Sequence, residues 1–149
     1  MYFDDYVPGT VSILRTDSVS EASIIEFARK FDPQEFHVNA AAAADGPYGG
    51  VIASGWHTCA LAGHAMVTGY LSPESSLPSP GAEEVRFHAP VCAGDILTWH
   101  ATVLDARPSR SNPSHGIVRT LIEAINQDGT LALTMTAINL MRRRPATGN

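Results

Sequence analysis

The sequence predicts a single α+β domain in which an antiparallel β-sheet wraps around one long helix. Two observations support this prediction. A helical segment with almost no charge lies in the middle of the chain, and four segments with strand-like patterns follow it. A helix without a polar face must be buried, and consecutive antiparallel strands provide an apolar surface that can bury it. The 149 residues suffice for one domain, 1–149, and no linker or repeat indicates a second.

The first third of the chain predicts a strand, a helix and an irregular connection. Residues 11–19 have an extended pattern, and Ser20 is a suitable N-cap for an amphipathic helix that follows. Pro33 ends this helix, because proline excludes the residue before it from helical conformation. Asn39 is then placed to cap a short helical turn at residues 40–44.

The rest of the chain predicts the central helix and the sheet. The helix starts near residue 54 and ends near residue 70, and its composition predicts burial on nearly all sides. Glycines within it permit close approach of a neighbouring sheet. An Asp-Gly pair within residues 127–130 indicates a hairpin, and residues 142–149 are predicted to form a flexible tail. The predicted strands are 84–88, which should be half-buried, 96–106, 116–126 and 131–141.

Composition excludes several classes of function. The formal net charge of −5 argues against nucleic-acid binding, which needs a basic face. Cys59 and Cys92 belong to no CxxC pair, so neither a metal site nor a disulfide framework is predicted. The sequence shows no signal peptide and no apolar run long enough to span a membrane, which predicts a cytoplasmic protein. The charged fraction of 17% is low and fits a surface partly covered in an oligomer.

Two short segments carry the chemistry. Asp32 and His37 lie five positions apart with Pro33 between them, so an irregular turn can direct both side chains to one point. A small-residue loop then enters the central helix at Ser54 and Gly55, and such a junction presents free backbone N–H groups and the positive end of the helix dipole. An acid, an imidazole and backbone donors together can add or remove water beside a carbonyl group.

These segments, residues 31–37 (FDPQEFH) and 49–57 (GGVIASGWH), resemble the MaoC-like dehydratases, which are hot-dog-fold proteins related to the (R)-specific enoyl-CoA hydratases. The resemblance covers nearly the whole chain. It implies that Asp32 and His37 form the catalytic dyad and that Gly55 offers its backbone N–H to a thioester carbonyl. Characterised hydratases usually carry Asn-Pro between the acid and the histidine, and often an aspartate where this chain has Asn39. These departures leave both catalytic groups in place.

The resemblance implies a lyase of fatty acid metabolism that adds or removes water across the 2,3 double bond of an enoyl thioester. The resemblance implies an acyl-CoA substrate, with coenzyme A part of the substrate and no separate cofactor or metal, and the sequence leaves open whether coenzyme A or acyl-carrier protein carries the acyl group. The protein should be a homodimer or a dimer-based higher oligomer. Ser54, Gly55 and Trp56 are the predicted substrate-binding residues. Ser54 is expected to act as an N-cap rather than a nucleophile, and Trp56 to wall the acyl pocket or pack in the core.

Three questions stay open at the level of sequence. The first is which of Asp32 and His37 holds the proton at rest. The second is whether the chain is instead a hot-dog thioesterase, although residues 53–70 contain none of the carboxylates that such enzymes typically use near the central helix. The third is whether it is a non-catalytic acyl-CoA-binding module.

His57 and His64 lie seven positions apart on the central helix, and we predict core or interface histidines rather than metal ligands.

Overall fold

The structure, a computed structural model, describes residues 1–146 and contains one five-stranded antiparallel sheet in the order β1-β3-β4-β5-β2. Each predicted strand is present. A strand pairs with its chain neighbour from β3 to β5, and the hairpin between β4 and β5 turns through Gly129, whose φ of 78° favours glycine. The strands are β1 (Val11–Ser18), β2 (Gly81–Phe87), β3 (Ile96–Pro108), β4 (His115–Ile125) and β5 (Leu131–Arg142).

Four helices lie between β1 and β2, and their ends match the capping signals in the sequence. Ser20 Oγ accepts a hydrogen bond from Ser23 N at the start of α1, and Asn39 Oδ1 accepts one from Ala42 N at the start of α3. The predicted caps are therefore confirmed. The helices are α1 (Glu21–Phe31), α2 (Glu35–Val38), α3 (Ala40–Ala44) and α4 (Gly55–Gly69).

The core lies between α4 and the sheet, which confirms the predicted α+β architecture. Ala62 and Ala65 of α4 are fully buried in one cluster with Trp99 and Ile122 of the sheet. A Cβ atom at Gly69 would lie 2.6 Å from the Leu14 carbonyl oxygen of β1, so only glycine lets the end of α4 approach this strand. Small side chains on α4 thus set the short distance between helix and sheet.

Three predictions about burial and order are corrected. Strand β2 was expected to be half-buried, yet all seven of its residues are exposed, because it lies at the edge of the sheet. Helix α4 was expected to be buried on nearly all sides, yet Trp56, His64 and Val67 are exposed on one face. The predicted tail at 142–149 begins too early, since Arg142 ends β5 in a regular pairing with His115.

The residues after β5 remain attached to the N-terminus as far as Arg144. Arg143 pairs with Asp4 and Arg144 pairs with Asp5 at the surface. The last part of the predicted tail, residues 147–149, lies outside the described residues. Within residues 1–146, none of the helices has the length and apolar character needed to cross a membrane.

Candidate active site

The end of α1 and the short helix α2 bring Asp32 and His37 together. Asp32 is the C-cap of α1, and its N–H still donates to Ala28 O at 2.9 Å. Pro33 then prevents the helix from continuing, and α2 begins two residues later at Glu35. The predicted irregular turn between Asp32 and His37 therefore contains a single helical turn, α2, that carries His37.

The two side chains meet at hydrogen-bonding range. His37 Nε2 lies 3.3 Å from Asp32 Oδ2. The His37 side chain is almost completely buried and that of Asp32 is largely buried, with exposed fractions of 6% and 18%. The pair is thus shielded on most sides and open to solvent at the carboxylate.

The backbone carbonyl of Ile52 fixes the orientation and tautomer of His37. His37 Nδ1 lies 2.5 Å from Ile52 O, and a carbonyl oxygen can only accept, so Nδ1 carries the proton. The other nitrogen, Nε2, is then an acceptor in neutral His37 and faces Asp32. Ile52 is held in turn by its N–H, which donates to Phe36 O at 3.1 Å. With this tautomer, His37 Nε2 and the carboxylate oxygen Asp32 Oδ2 are two hydrogen-bond acceptors directed to the same point.

Asp32 is held by two neutral donors. Ser54 Oγ donates to Asp32 Oδ2 at 2.7 Å, and Gln34 Nε2 donates to Oδ1 at 2.7 Å. These hydrogen bonds, first that of Ser54 and then that of Gln34, lower the pKa of the Asp32 carboxyl below its ordinary value. Asp32 is therefore ionised at neutral pH.

A cavity of about 280 Å³ opens beside His37 and the N-terminus of α4. Gly55, the first residue of α4, lines it together with Phe87 and His88 at the end of β2. A Cβ atom at Gly55 would lie 2.5 Å from Phe87 Cζ, so a larger residue would have to displace this ring. Among residues 1–146, no acceptor is hydrogen-bonded to the Gly55 N–H.

The predicted site residues have different positions relative to this cavity. His37 and Gly55 line it, and Asp32 faces His37 from the side. Ser54 is fully buried, and its Oγ also accepts from Trp56 N at 3.2 Å. The predicted N-cap role is therefore confirmed. Ser54 was also predicted to bind the substrate, and in the structure its hydroxyl contacts Asp32. The side chain of Trp56 is 65% exposed and does not line the cavity.

Sequence reasoning missed three contributors to the site. Gln34 stood inside the motif but was not assigned a role, although a side-chain amide beside an acid is a recognisable partner. The Ile52 carbonyl has no signal in the sequence, because any residue supplies one. Phe87 reaches Gly55 only through the pairing of β2 with β5. Within residues 1–146, no three His, Cys, Asp or Glu residues cluster closely enough to hold a metal ion.

Comparisons with known proteins identify the family of this chain. Residues 7–125 match the family described as MaoC like domain. The chain is 31% identical over 127 residues to the uncharacterized protein YdeM of Bacillus subtilis, which covers 85% of this chain and 89% of YdeM.

Solved structures extend the likeness to the whole fold. The MaoC-like dehydratase from Rhodospirillum rubrum superposes with a TM-score of 0.88 at 34% identity, covering 97% of this chain and 99% of that one. The R-hydratase PhaJ1 from Pseudomonas aeruginosa gives a TM-score of 0.79 at 26% identity, with 97% and 86% covered. The predicted hot-dog fold is confirmed.

Proposed function

This chain belongs to the MaoC-like domain family, and from this premise we propose that it is an enoyl-thioester hydratase. It adds water across the 2,3 double bond of an enoyl thioester to give the 3-hydroxyacyl thioester, and it removes water in the reverse direction. One observation carries the proposal: His37 Nε2, an acceptor fixed by the Ile52 carbonyl, faces the ionised Asp32 at 3.3 Å. The relatives named as a dehydratase and an R-hydratase support the same class of reaction.

The dyad binds the reacting water. A water molecule that donates one hydrogen to Asp32 Oδ2 and the other to His37 Nε2 satisfies both acceptors and keeps its lone pairs free. Those lone pairs point away from the two hydrogen bonds, toward a substrate bound in the cavity. Asp32 and His37 therefore orient and activate the nucleophile together.

The proton balance of hydration follows from the two protonation states. The water oxygen bonds to Cβ, and the π electrons of the double bond move to give an enolate with its charge on the thioester oxygen. An imidazole nitrogen is ordinarily a stronger base than a carboxylate oxygen, so the water proton passes to His37 Nε2. The imidazolium, paired with Asp32, then delivers that proton to Cα. Water is consumed and His37 returns to its neutral state.

The N-terminus of α4 stabilises the enolate charge. Gly55 lines the cavity and is the first residue of α4, so its N–H belongs to the positive end of the helix dipole, where a developing oxyanion is favoured. Loss of one such donor costs roughly 3–4 kcal/mol of transition-state stabilisation in other enzymes. The Phe87 ring packs against Gly55 in the space that a Cβ would occupy, so a larger residue here would displace this ring from the cavity wall. Coenzyme A is the proposed carrier of the acyl group, with no separate cofactor.

A homodimer is the proposed assembly. Strand β2 lies at the sheet edge with every residue exposed, including Val85 and Phe87. The neighbouring face of α4 exposes Trp56 and Val67, each 65% accessible. A second copy that pairs along β2 would extend the sheet and cover apolar side chains close to the cavity. Trp56 would then lie at an interface beside the site.

Turnover of crotonyl-CoA and longer trans-2-enoyl-CoAs tests the proposal. We expect the wild-type protein to remove the conjugated-thioester absorbance without releasing free thiol. Asp32→Asn should lower kcat by about 10²–10⁴-fold, the usual contribution of a general acid–base group. Release of thiol would indicate a thioesterase, and acyl-CoA binding without turnover would indicate a binding module.

Light scattering on the same preparation should give twice the chain mass of 15.9 kDa, whereas a monomer would contradict the homodimer.

A further inference from the structure

The carrier group of an enoyl thioester has to extend out of the catalytic cavity. This cavity has a volume of about 280 Å³, below the roughly 300–1,000 Å³ of pockets that enclose drug-sized ligands, so it holds the reacting part of the substrate and not the whole molecule. In coenzyme A and in acyl-carrier protein alike, the sulfur is joined to a pantetheine arm that ends in a phosphate. A binding site for that phosphate is therefore expected on the surface near the cavity.

The contacts within the site indicate where the arm leaves it. In the proposed reaction Asp32 and His37 face the reacting carbon atoms, and Gly55 binds the thioester oxygen. The Phe87 ring packs against Gly55, and strand β2 ends at Phe87. The next residue, His88, also lines the cavity. The sulfur and the arm, which follow the thioester carbonyl, therefore lie toward the end of β2.

A basic patch, formed by Arg86, His88 and Thr134, lies at this end of β2. Arg86 is opposite Thr134 in the pairing of β2 with β5, and residues paired in this way have Cβ atoms about 4.5–5.5 Å apart. His88 Nε2 lies 2.7 Å from Thr134 Oγ1. Successive residues of a strand point to opposite faces, so Arg86 is on the outer face of the sheet when Phe87 packs on Gly55 at the inner face. The basic patch therefore borders the catalytic cavity from outside.

The polar groups of the basic patch are available to a ligand. Four arginines within residues 1–146 pair with carboxylates, whereas the exposed Arg86 pairs with none there. The carboxylate of Glu83, on the same strand, is neutralised by Arg119 at 2.7 Å. His88 is also exposed, and when the Thr134 hydroxyl donates to Nε2, the ring proton is on Nδ1, which can donate to a ligand. A guanidinium beside further donors suits a phosphate, whose oxygens accept two of its N–H groups at once.

Arg29 and Arg107 are also exposed arginines, but they lie elsewhere. Arg107 is paired with Ile117, roughly 30 Å along β3 from the sheet end that contains Phe87 at the usual rise per residue. Arg29 is in the last turn of α1, close in the chain to Asp32 and so on the side of the dyad. Both are suitable controls for the loss of one positive charge.

We propose that the basic patch binds the phosphate at the end of the pantetheine arm. This inference rests on the proposed hydratase function and adds the recognition of the carrier to it. Coenzyme A and acyl-carrier protein both present this phosphate, so the patch recognises the group that they share. Pairing of a second copy along β2 would use the backbone groups of the strand edge, and the side chains on the outer face would stay accessible.

A series of crotonyl thioesters tests the proposal. Arg86→Ala should raise KM at least about tenfold for crotonyl-CoA and for crotonyl phosphopantetheine, because a charge-assisted hydrogen bond to the phosphate is lost. The value of kcat should stay close to wild type, since the phosphate is bound equally in the ground state and the transition state. With crotonyl-N-acetylcysteamine, which has the same thioester and no phosphate, the variant should match wild type. Arg29→Ala and Arg107→Ala should leave KM unchanged for every thioester.

Crotonyl-acyl-carrier protein distinguishes the two sources of the phosphate. Hydration of this substrate with the same dependence on Arg86 would support the assignment and identify acyl-carrier protein as a carrier. Hydration of crotonyl-CoA alone, again dependent on Arg86, would support it with coenzyme A as the carrier.

Three outcomes would overturn the assignment. An equal loss with crotonyl-N-acetylcysteamine would mean that Arg86 supports the structure of the site. A loss confined to crotonyl-CoA would mean that Arg86 binds the nucleotide rather than the phosphate of the arm. A loss in Arg29→Ala instead of Arg86→Ala would place the phosphate beside α1.

Binding without turnover separates this proposal from the proposed function. If the wild-type protein hydrated none of the thioesters, the proposed function would fail. Calorimetry with phosphopantetheine would still test the basic patch, and the affinity should fall at least about tenfold in Arg86→Ala. Equal affinities for wild type and Arg86→Ala would overturn the patch, whatever the result for turnover.

Discussion

Two histidines of this protein are buried to the same extent and have opposite surroundings. His37 is 5% exposed and His57 is 7% exposed. His37 donates through Nδ1 to a carbonyl and faces a carboxylate through Nε2, so both ring nitrogens have a polar neighbour. His57 stacks on Phe27, with the ring centroids 4.8 Å apart and the planes at 9°, and its Nδ1 has no hydrogen-bond partner within residues 1–146.

The difference shows that burial alone does not distinguish the histidine of the candidate site from a histidine that packs in the core. His57 sits in an apolar setting in which burial lowers its pKa, so it stays neutral and acts as an aromatic packing residue. His37 instead has a polar partner on each side, the Ile52 carbonyl at Nδ1 and the Asp32 carboxylate at Nε2. The arrangement of partners therefore decides the role, and substitution of each histidine should have a different consequence.

The largest expected effect is on turnover. His37→Gln removes the proton acceptor and should lower kcat by about 10²–10⁴-fold. His57→Phe keeps the stacking on Phe27 and touches neither reacting group, so kcat should stay within about threefold of wild type. Single-turnover rates with an enoyl-CoA substrate measure both.

Melting temperatures are the control for this pair, since a folded His37→Gln protein excludes simple unfolding as the cause. A large loss of kcat in folded His57→Phe would contradict the assignment of roles. A His37→Gln variant that retains activity would also contradict the assignment of roles.

The sequence predicted that the Asp32 and His37 side chains would meet, because the signals for this contact are local. Asp32, Pro33 and His37 lie within six residues, and the effect of proline on the chain is independent of the rest of the fold. The caps Ser20, Asn39 and Ser54 were predicted for the same reason, since a cap depends on a few adjacent residues. The strands followed from their alternating pattern, and four of the five differ from prediction by no more than two residues at either end.

The sequence could not predict contacts that depend on tertiary pairing. The exposure of β2 follows from its position at the sheet edge, and alternation within a strand contains no information about that position. His57 and His64 share a helical face by spacing, yet His57 is buried and His64 is exposed, because only the first lies against α1. A cavity lined by residues of α2, α3 and the loop at residues 45–50 arises where α3 meets this loop, and no residue pattern predicts it.

The next effect concerns Ser54, which donates to Asp32. Ser54→Ala removes the hydrogen bond that contributes most to lowering the pKa of Asp32, so this pKa should rise toward its ordinary value. In the proposed reaction activity requires the carboxylate, so it should be lost as pH falls through the Asp32 pKa. The acidic limb of the kcat/KM profile should therefore move to higher pH. Turnover should fall by about 10–160-fold, because a hydrogen bond to a charged group is worth about 1.5–3 kcal/mol.

Ser20→Ala is the matched control, because Ser20 also caps a helix but lies away from Asp32. Both variants should lose about 1 kcal/mol of stability through the missing cap. Only Ser54→Ala should change the pH profile. An unchanged acidic limb in Ser54→Ala would show that the hydroxyl does not set the ionisation of Asp32.

The smallest effect tests the other histidine through stability. The pKa of His57 is lowered by burial in the folded state, whereas in the unfolded chain it has the ordinary value of about 6.5. Between these two values the unfolded state binds more protons, so the contribution of His57 to stability is present above pH 6.5 and declines as pH falls below it. In His57→Phe this decline is removed, because phenylalanine does not titrate.

Urea unfolding at pH 7.5 and pH 5.5 measures the difference. From pH 7.5 to pH 5.5, the free energy of unfolding of His57→Phe should increase relative to that of wild type. The increase should be at most about 1.4 kcal/mol per pH unit for one proton. His64→Phe, on the exposed face of the same helix, should show no such gain. If the free energies of unfolding of wild type and His57→Phe fell equally as pH was lowered, protonation of His57 would not destabilise the folded protein. In that case the Nδ1 atom of His57, which has no partner within residues 1–146, would have a hydrogen-bond acceptor. His57 and His37 would then differ only in their positions in the fold.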